Sequence, residues 1–123
     1  MESRKMLPDY IKRINELKEE MITDLGELVK LESVQAKAEP DAPFGRGVAE
    51  AFKYMLSLAK REGFAIADVD GYGGHIDYGE KMTAETMGIL CHLDVVPVGD
   101  GREHPPFAAD IEDGVMYGRG TSH

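Results

Sequence analysis

The chain has 123 residues, 42% of them hydrophobic and 30% charged, which is enough for one compact folded domain and unlike the composition of disordered chains. Its formal net charge of −9, from 23 acidic against 14 basic residues, argues against nucleic acid and anionic membrane surfaces as partners. No apolar run approaches the ~20 residues of a bilayer-spanning helix, the first residues lack the apolar block of a secretory leader, and the single cysteine, Cys91, excludes an intrachain disulfide, so a cytoplasmic location is expected.

Residues 10–31 carry Tyr10, Ile11, Ile14, Leu17, Met21, Leu25, Leu28 and Val29 at three-and-four spacing, which predicts an amphipathic helix. Pro8-Asp9 is its expected start, because an aspartate there can accept from the free amides of the first turn. Lys12, Arg13 and Glu16 lie one turn apart or less and read as a solvated face. Residues 36–47, with Pro40, Pro43, Gly45 and Gly47, read as a loop. A second helix is predicted over 48–61, with Val48, Phe52, Met55, Leu56 and Ala59 on one side and Gly63 placed to close it.

From Phe64 the period becomes that of strands. Residues 64–70, 75–78 and 87–93 are three candidates, separated by Gly71-Tyr72-Gly73-Gly74 and by the polar stretch 79–86. Residues 87–91 are apolar on both faces, as a central strand covered on two sides would be. On such a strand Cys91 is expected to be a buried, inert thiol facing away from His92. Short strands near 107–111 and 115–117 are expected to form a hairpin through Glu112-Asp113-Gly114, since Asp-Gly suits a tight turn. The fold class read from this order is α/β, with two N-terminal helices packed on a mixed β-sheet.

His92 and Asp94 are two residues apart at the end of the apolar run. In a strand they share a face, and they would project together where α/β sheets commonly bind ligands. An imidazole that binds a metal through one nitrogen needs its ring held in place, and a neighbouring carboxylate can do this. By itself such a pair is more often ordinary surface. His75 and Asp77 alternate in the same way and read as a strand facing solvent, while His104, before Pro105-Pro106, reads as part of a rigid turn.

The longer strings are more specific. Gly88-Ile89-Leu90-Cys91-His92-Leu93-Asp94-Val95-Val96-Pro97-Val98-Gly99, then His104-Pro105-Pro106-Phe107, Ile111-Glu112-Asp113-Gly114 and Tyr117-Gly118-Arg119-Gly120-Thr121-Ser122, closely resemble the dinuclear-zinc peptidase family of the aminoacylase and carboxypeptidase G type. Residues 69–79 and Ala42-Pro43-Phe44-Gly45 resemble its bacterial Xaa-His dipeptidase branch, related to carnosinases. The resemblance runs from about residue 10 to Ser122. It implies a dipeptide substrate, two Zn²⁺ per site with Mn²⁺ or Co²⁺ as alternatives, and a metal-activated water that attacks the peptide bond. Carried over by motif, His92 matches a metal-binding histidine and Asp94 the catalytic aspartate that orients it.

The resemblance also implies that residues 1–123 are the N-terminal part of a metallopeptidase catalytic domain, inactive alone, with the remaining ligands, the general base and a lid or dimerisation domain lying elsewhere. His123 stands where the family carries a bridging aspartate after Ser122, and a single imidazole lone pair cannot clasp two metals. Arg102 stands where members of this branch carry tryptophan. Two other readings fit the residues. One is a non-catalytic acidic α/β module that binds a protein partner or self-associates through an exposed sheet edge. The other is an amidohydrolase acting on N-acyl amino acids.

Overall fold

The computed structural model describes residues 2–80 and 85–122. It is α/β as expected, with element order α1 (Glu2–Val29), α2 (Arg46–Arg61), β1 (Ala65–Val69), β2 (Gly73–Asp77), β3 (Asp110–Glu112) and β4 (Val115–Tyr117).

Helix α1 does not begin at Pro8-Asp9; it runs through Pro8 from Glu2. Proline removes one intrahelical donor, but Glu, Arg, Lys, Met and Leu, the dominant residue types before it, are good helix formers and offset that loss. The C-terminal part of α1 meets α2. There Val29 is buried, Tyr54 Oη of α2 donates to the Asp24 carbonyl at 3.0 Å, and the Arg61 guanidinium reaches the Asp24 carboxylate at 2.7 Å.

Helix α2 starts two residues earlier than its apolar pattern predicts, and a close backbone approach sets that start. Gly45 precedes the helix at φ 97°, and a Cβ on Gly47 would overlap the Glu32 carbonyl. At the other end Gly63 takes φ 87°, its N–H bonded to the Lys60 carbonyl and the Phe64 N–H to the Ala59 carbonyl. This paired closure is the one glycine permits after a helix. Ala51 and Ala59 face inward, and with Val29 and Ala42 they form a small core of short side chains.

The strands form two separate antiparallel pairs rather than one mixed sheet. In the first, Ala65 pairs with Asp77 and Val69 with Gly73, while Asp70 and Gly71 turn the chain at positive φ. The second is the expected Asp-Gly hairpin: Glu112 pairs with Val115, with Asp113 and Gly114 at φ 50° and 77°.

The strand expected at 87–93 is not formed. Residues 85–94 carry no assigned helix or strand, and the pairing beside them is the isolated parallel bridge between Val34 and Val95. A central strand acquires its backbone bonds from neighbours on both sides, and among the described residues no strand flanks this segment. Met87, Ile89 and Leu90 are consequently exposed, Leu90 fully. Cys91, expected buried, is exposed for the same reason.

Candidate functional site

The stretch 92–97 lies beside the end of α1 and the turn after β4, and three hydrogen bonds join it to Ser33 and Arg119. The Val95 N–H donates to the Ser33 carbonyl at 3.0 Å, joining it to the segment after α1. The Arg119 side chain supplies the other two, with Nε donating to the Val96 carbonyl at 3.2 Å and Nη2 to the Pro97 carbonyl at 2.6 Å. Arg119 is itself seated by its backbone N–H on the Pro106 carbonyl at 2.7 Å. Gly120, at φ 88°, allows the turn to close against Val95, where a Cβ would come within 3.0 Å of the valine methyl.

His92 and Asp94 are brought together by this arrangement. Nδ1 of His92 lies 3.0 Å from the Asp94 carbonyl oxygen and 3.4 Å from its carboxylate Oδ1. The backbone oxygen is therefore the closer partner, where the sequence pattern had pointed to the carboxylate. With Nδ1–H donating to that carbonyl, Nε2 carries the lone pair, the form in which a neutral imidazole binds a metal or accepts a proton. Both side chains are more than half exposed, and they border two clefts. One, of about 550 Å³, is bounded by the end of α1, Ser33, Arg102 and the 118–122 turn. The other, of about 490 Å³, is bounded by Phe44, Val48, Phe52 and the Gly71–Gly74 turn.

His75 and His104 are occupied locally. His75 and Asp77 share a face of β2, Nδ1 lying 2.9 Å from Oδ2, both exposed. His104 stacks on Tyr117 with ring centroids 3.9 Å apart, and its two nitrogens each lie 3.4 Å from a carboxylate, Asp110 and Glu112. The expected turn role of His104 thus takes the form of a clasp on the β3–β4 hairpin. His123 lies outside the described residues.

Among the described residues, no group of three or more His, Cys, Asp and Glu side chains is placed to hold a metal ion. One imidazole and one adjacent carboxylate do not fit a dinuclear zinc centre, which needs several donors on each metal and a bridging group. Sequence reasoning missed Arg119 as a site residue. Its signal was an arginine between two glycines, a place where the backbone can turn sharply and the guanidinium can reach across to another segment.

Residues 88–123 match the sequence profile of Peptidase family M20/M25/M40. The matched stretch begins in the exposed segment and includes His92, Asp94 and Arg119. Curated relatives extend the similarity over most of the chain. "Putative dipeptidase YtjP" of Bacillus subtilis is 43% identical over 106 residues, 85% of this chain and 22% of that protein. A "Putative dipeptidase" of Staphylococcus epidermidis is 43% identical over 111 residues, 89% of this chain and 23% of that protein. "Putative dipeptidase SAUSA300_1697" of Staphylococcus aureus is 40% identical over the same length. The chain spans less than a quarter of the length of these relatives. No helix among the described residues is long and apolar enough to cross a membrane.

Proposed function

We propose that this chain is the N-terminal part of the catalytic domain of a metal-dependent peptidase that acts on dipeptides. In this reading His92 contributes one metal-binding nitrogen, and Asp94 holds its ring. The remaining ligands and the general base come from polypeptide outside these 123 residues. The observation that carries the reading is the His92–Asp94 pairing, held at a cleft edge by Val95 and Arg119 within the stretch that matches the peptidase profile. Zinc is the ion favoured by the sequence resemblance, and manganese or cobalt would accept similar donors. The chain alone, with a single imidazole from this site, is expected neither to bind a pair of metals nor to turn over a dipeptide.

A chimera tests this. Residues 10–122 would replace the corresponding segment of the Bacillus subtilis relative, and zinc content and dipeptide hydrolysis would be measured beside the unaltered relative. The expected result is a folded chimera that binds two zinc ions and retains the hydrolysis of its parent, with His92→Ala losing both bound zinc and most of the rate. Full zinc content and an undiminished rate in the His92→Ala chimera would overturn the assignment. So would dipeptide turnover with two bound metals in the isolated chain.

A further inference from the structure

The peptide unit between Asp94 and Val95 is held at both of its polar ends. Its N–H, from Val95, donates to the Ser33 carbonyl at 3.0 Å, and its oxygen, from Asp94, lies 3.0 Å from Nδ1 of His92. A trans peptide is planar, with its N–H and C=O pointing to opposite sides. The bond to Ser33 therefore fixes the direction in which the Asp94 oxygen is presented to the imidazole. Ser33 is a firm anchor, being buried, with its own N–H bonded to the Leu31 carbonyl at 2.8 Å.

Arg119 restrains the same unit from the other side. Rotation of the 94–95 peptide would carry the residues after it, and the guanidinium holds their carbonyls, Val96 at 3.2 Å and Pro97 at 2.6 Å. The turn that carries Arg119 also closes on Val95, since a Cβ on Gly120 would lie 3.0 Å from the valine methyl. Val95 thus has little room to swing towards that turn.

The Asp94 carboxylate competes for the same imidazole proton. An ionised carboxylate is the stronger acceptor when it is aligned, but its Oδ1 stands 3.4 Å from Nδ1, beyond the usual N–H···O range, whereas the backbone oxygen lies within it. Which nitrogen of a neutral histidine carries the proton is set by the bond that nitrogen makes. We propose that the Asp94–Val95 peptide, anchored by Ser33 and Arg119, fixes His92 in the Nδ1–H form without need of the Asp94 carboxylate, and that Arg119 is a positioning residue for this imidazole. The inference rests on the reading of His92 as a metal-binding residue only for its functional weight, because the Nδ1–H form leaves the lone pair on Nε2. The hydrogen bonds themselves are independent of that reading.

Long-range proton–nitrogen NMR correlation on the zinc-free chain reads which ring nitrogen is protonated, at about pH 8, where histidine is ordinarily neutral. His92→Gln assigns the signal. His92 is expected to be mainly Nδ1–H in the unaltered chain and in Asp94→Ala, which keeps the backbone oxygen. Arg119→Ala should lose that majority and move His92 towards the Nε2–H form that an unconstrained imidazole prefers. Arg119→Lys keeps the charge but lacks the planar fork that reaches both carbonyls, and it should fall between the two. The signal of His75, whose Nδ1 lies 2.9 Å from Asp77, should stay unchanged in the Arg119 variants, which separates lost positioning from a lost fold. If Arg119→Ala does not fold, the intermediate position of Arg119→Lys decides in its place. An Nε2–H majority in the unaltered chain would overturn the proposal, and loss of the Nδ1–H form in Asp94→Ala would give the role to the carboxylate. An undiminished Nδ1–H majority in both Arg119 variants would remove Arg119 from it. Zinc retained by the His92→Ala chimera would end the metal-binding reading and leave the tautomer result standing, so the two can fail separately.

Discussion

Arg119 donates to the carbonyl oxygen of Pro97 at 2.6 Å across 22 residues of chain, and its other contact falls on the carbonyl immediately before it. A planar guanidinium can address two successive carbonyls at once, which a lysine ammonium on a flexible stem does less well. Arg119→Lys is therefore expected to loosen residues 92–97 while leaving both helices intact. The loss should be about 1–2 kcal/mol, the range for bonds to a charged donor at a partly exposed site. Hydrogen exchange checks this: protection of the Val95 amide, bonded to Ser33, should fall, and that of the Ala59-bonded Phe64 amide should not.

Gly47 and Gly88 separate a glycine required by packing from one that is not. A Cβ at Gly47 would run into the Glu32 backbone, whereas one at Gly88 would meet nothing within 4 Å. Gly47→Ala should destabilise the chain by about 3 kcal/mol, the scale of overpacking against an element that cannot move aside. Gly88→Ala should be close to neutral. Urea unfolding midpoints of the two variants give the comparison.

Tyr54 carries a titration signal of the α1–α2 contact. Its phenol is pushed above its ordinary value, first by burial and then by the nearby Asp24 charge, with Arg61 acting in the opposite direction. Because the folded pKa is raised, the neutral phenol is the form the fold favours. The associated stability is complete below the unfolded tyrosine pKa and is lost as pH rises through the folded one. Spectrophotometric titration should show one tyrosine ionising later than the rest, and Tyr54→Phe should remove that component. The same variant should cost about 1 kcal/mol at neutral pH, through the lost bond to the Asp24 carbonyl.

Cys91 should react rapidly with a thiol reagent in the folded chain, at a rate close to that of the urea-unfolded chain, since it is exposed. Strong protection of the native thiol would show that the 87–93 segment is covered, as a central strand would be. In the proposed whole enzyme that protection is the expected outcome, so the isolated chain and the chimera should differ in this rate.

Much of the fold was legible because it is local. The three-and-four spacing on α1 and α2 and the glycine at the end of α2 each act within a turn or two of chain. The same holds for the Asp113-Gly114 pair that reverses the β3–β4 hairpin. The His92-x-Asp94 spacing announced a pairing that the structure contains, although the nearer partner is the Asp94 backbone oxygen.

Contacts between distant segments decided the rest. An apolar run such as Met87-Gly88-Ile89-Leu90-Cys91 states a preference for burial but cannot supply neighbours, so its sequence read as a central strand while the chain leaves it outside any strand and exposed. The grip of Arg119 on Val96 and Pro97, and the approach of Gly47 to Glu32, join residues whose spacing encodes no period. Short-range periodicity and turn chemistry are properties of the sequence itself. Which carbonyl a guanidinium reaches, and whether an apolar segment finds a sheet to enter, depends on what tertiary packing places beside it.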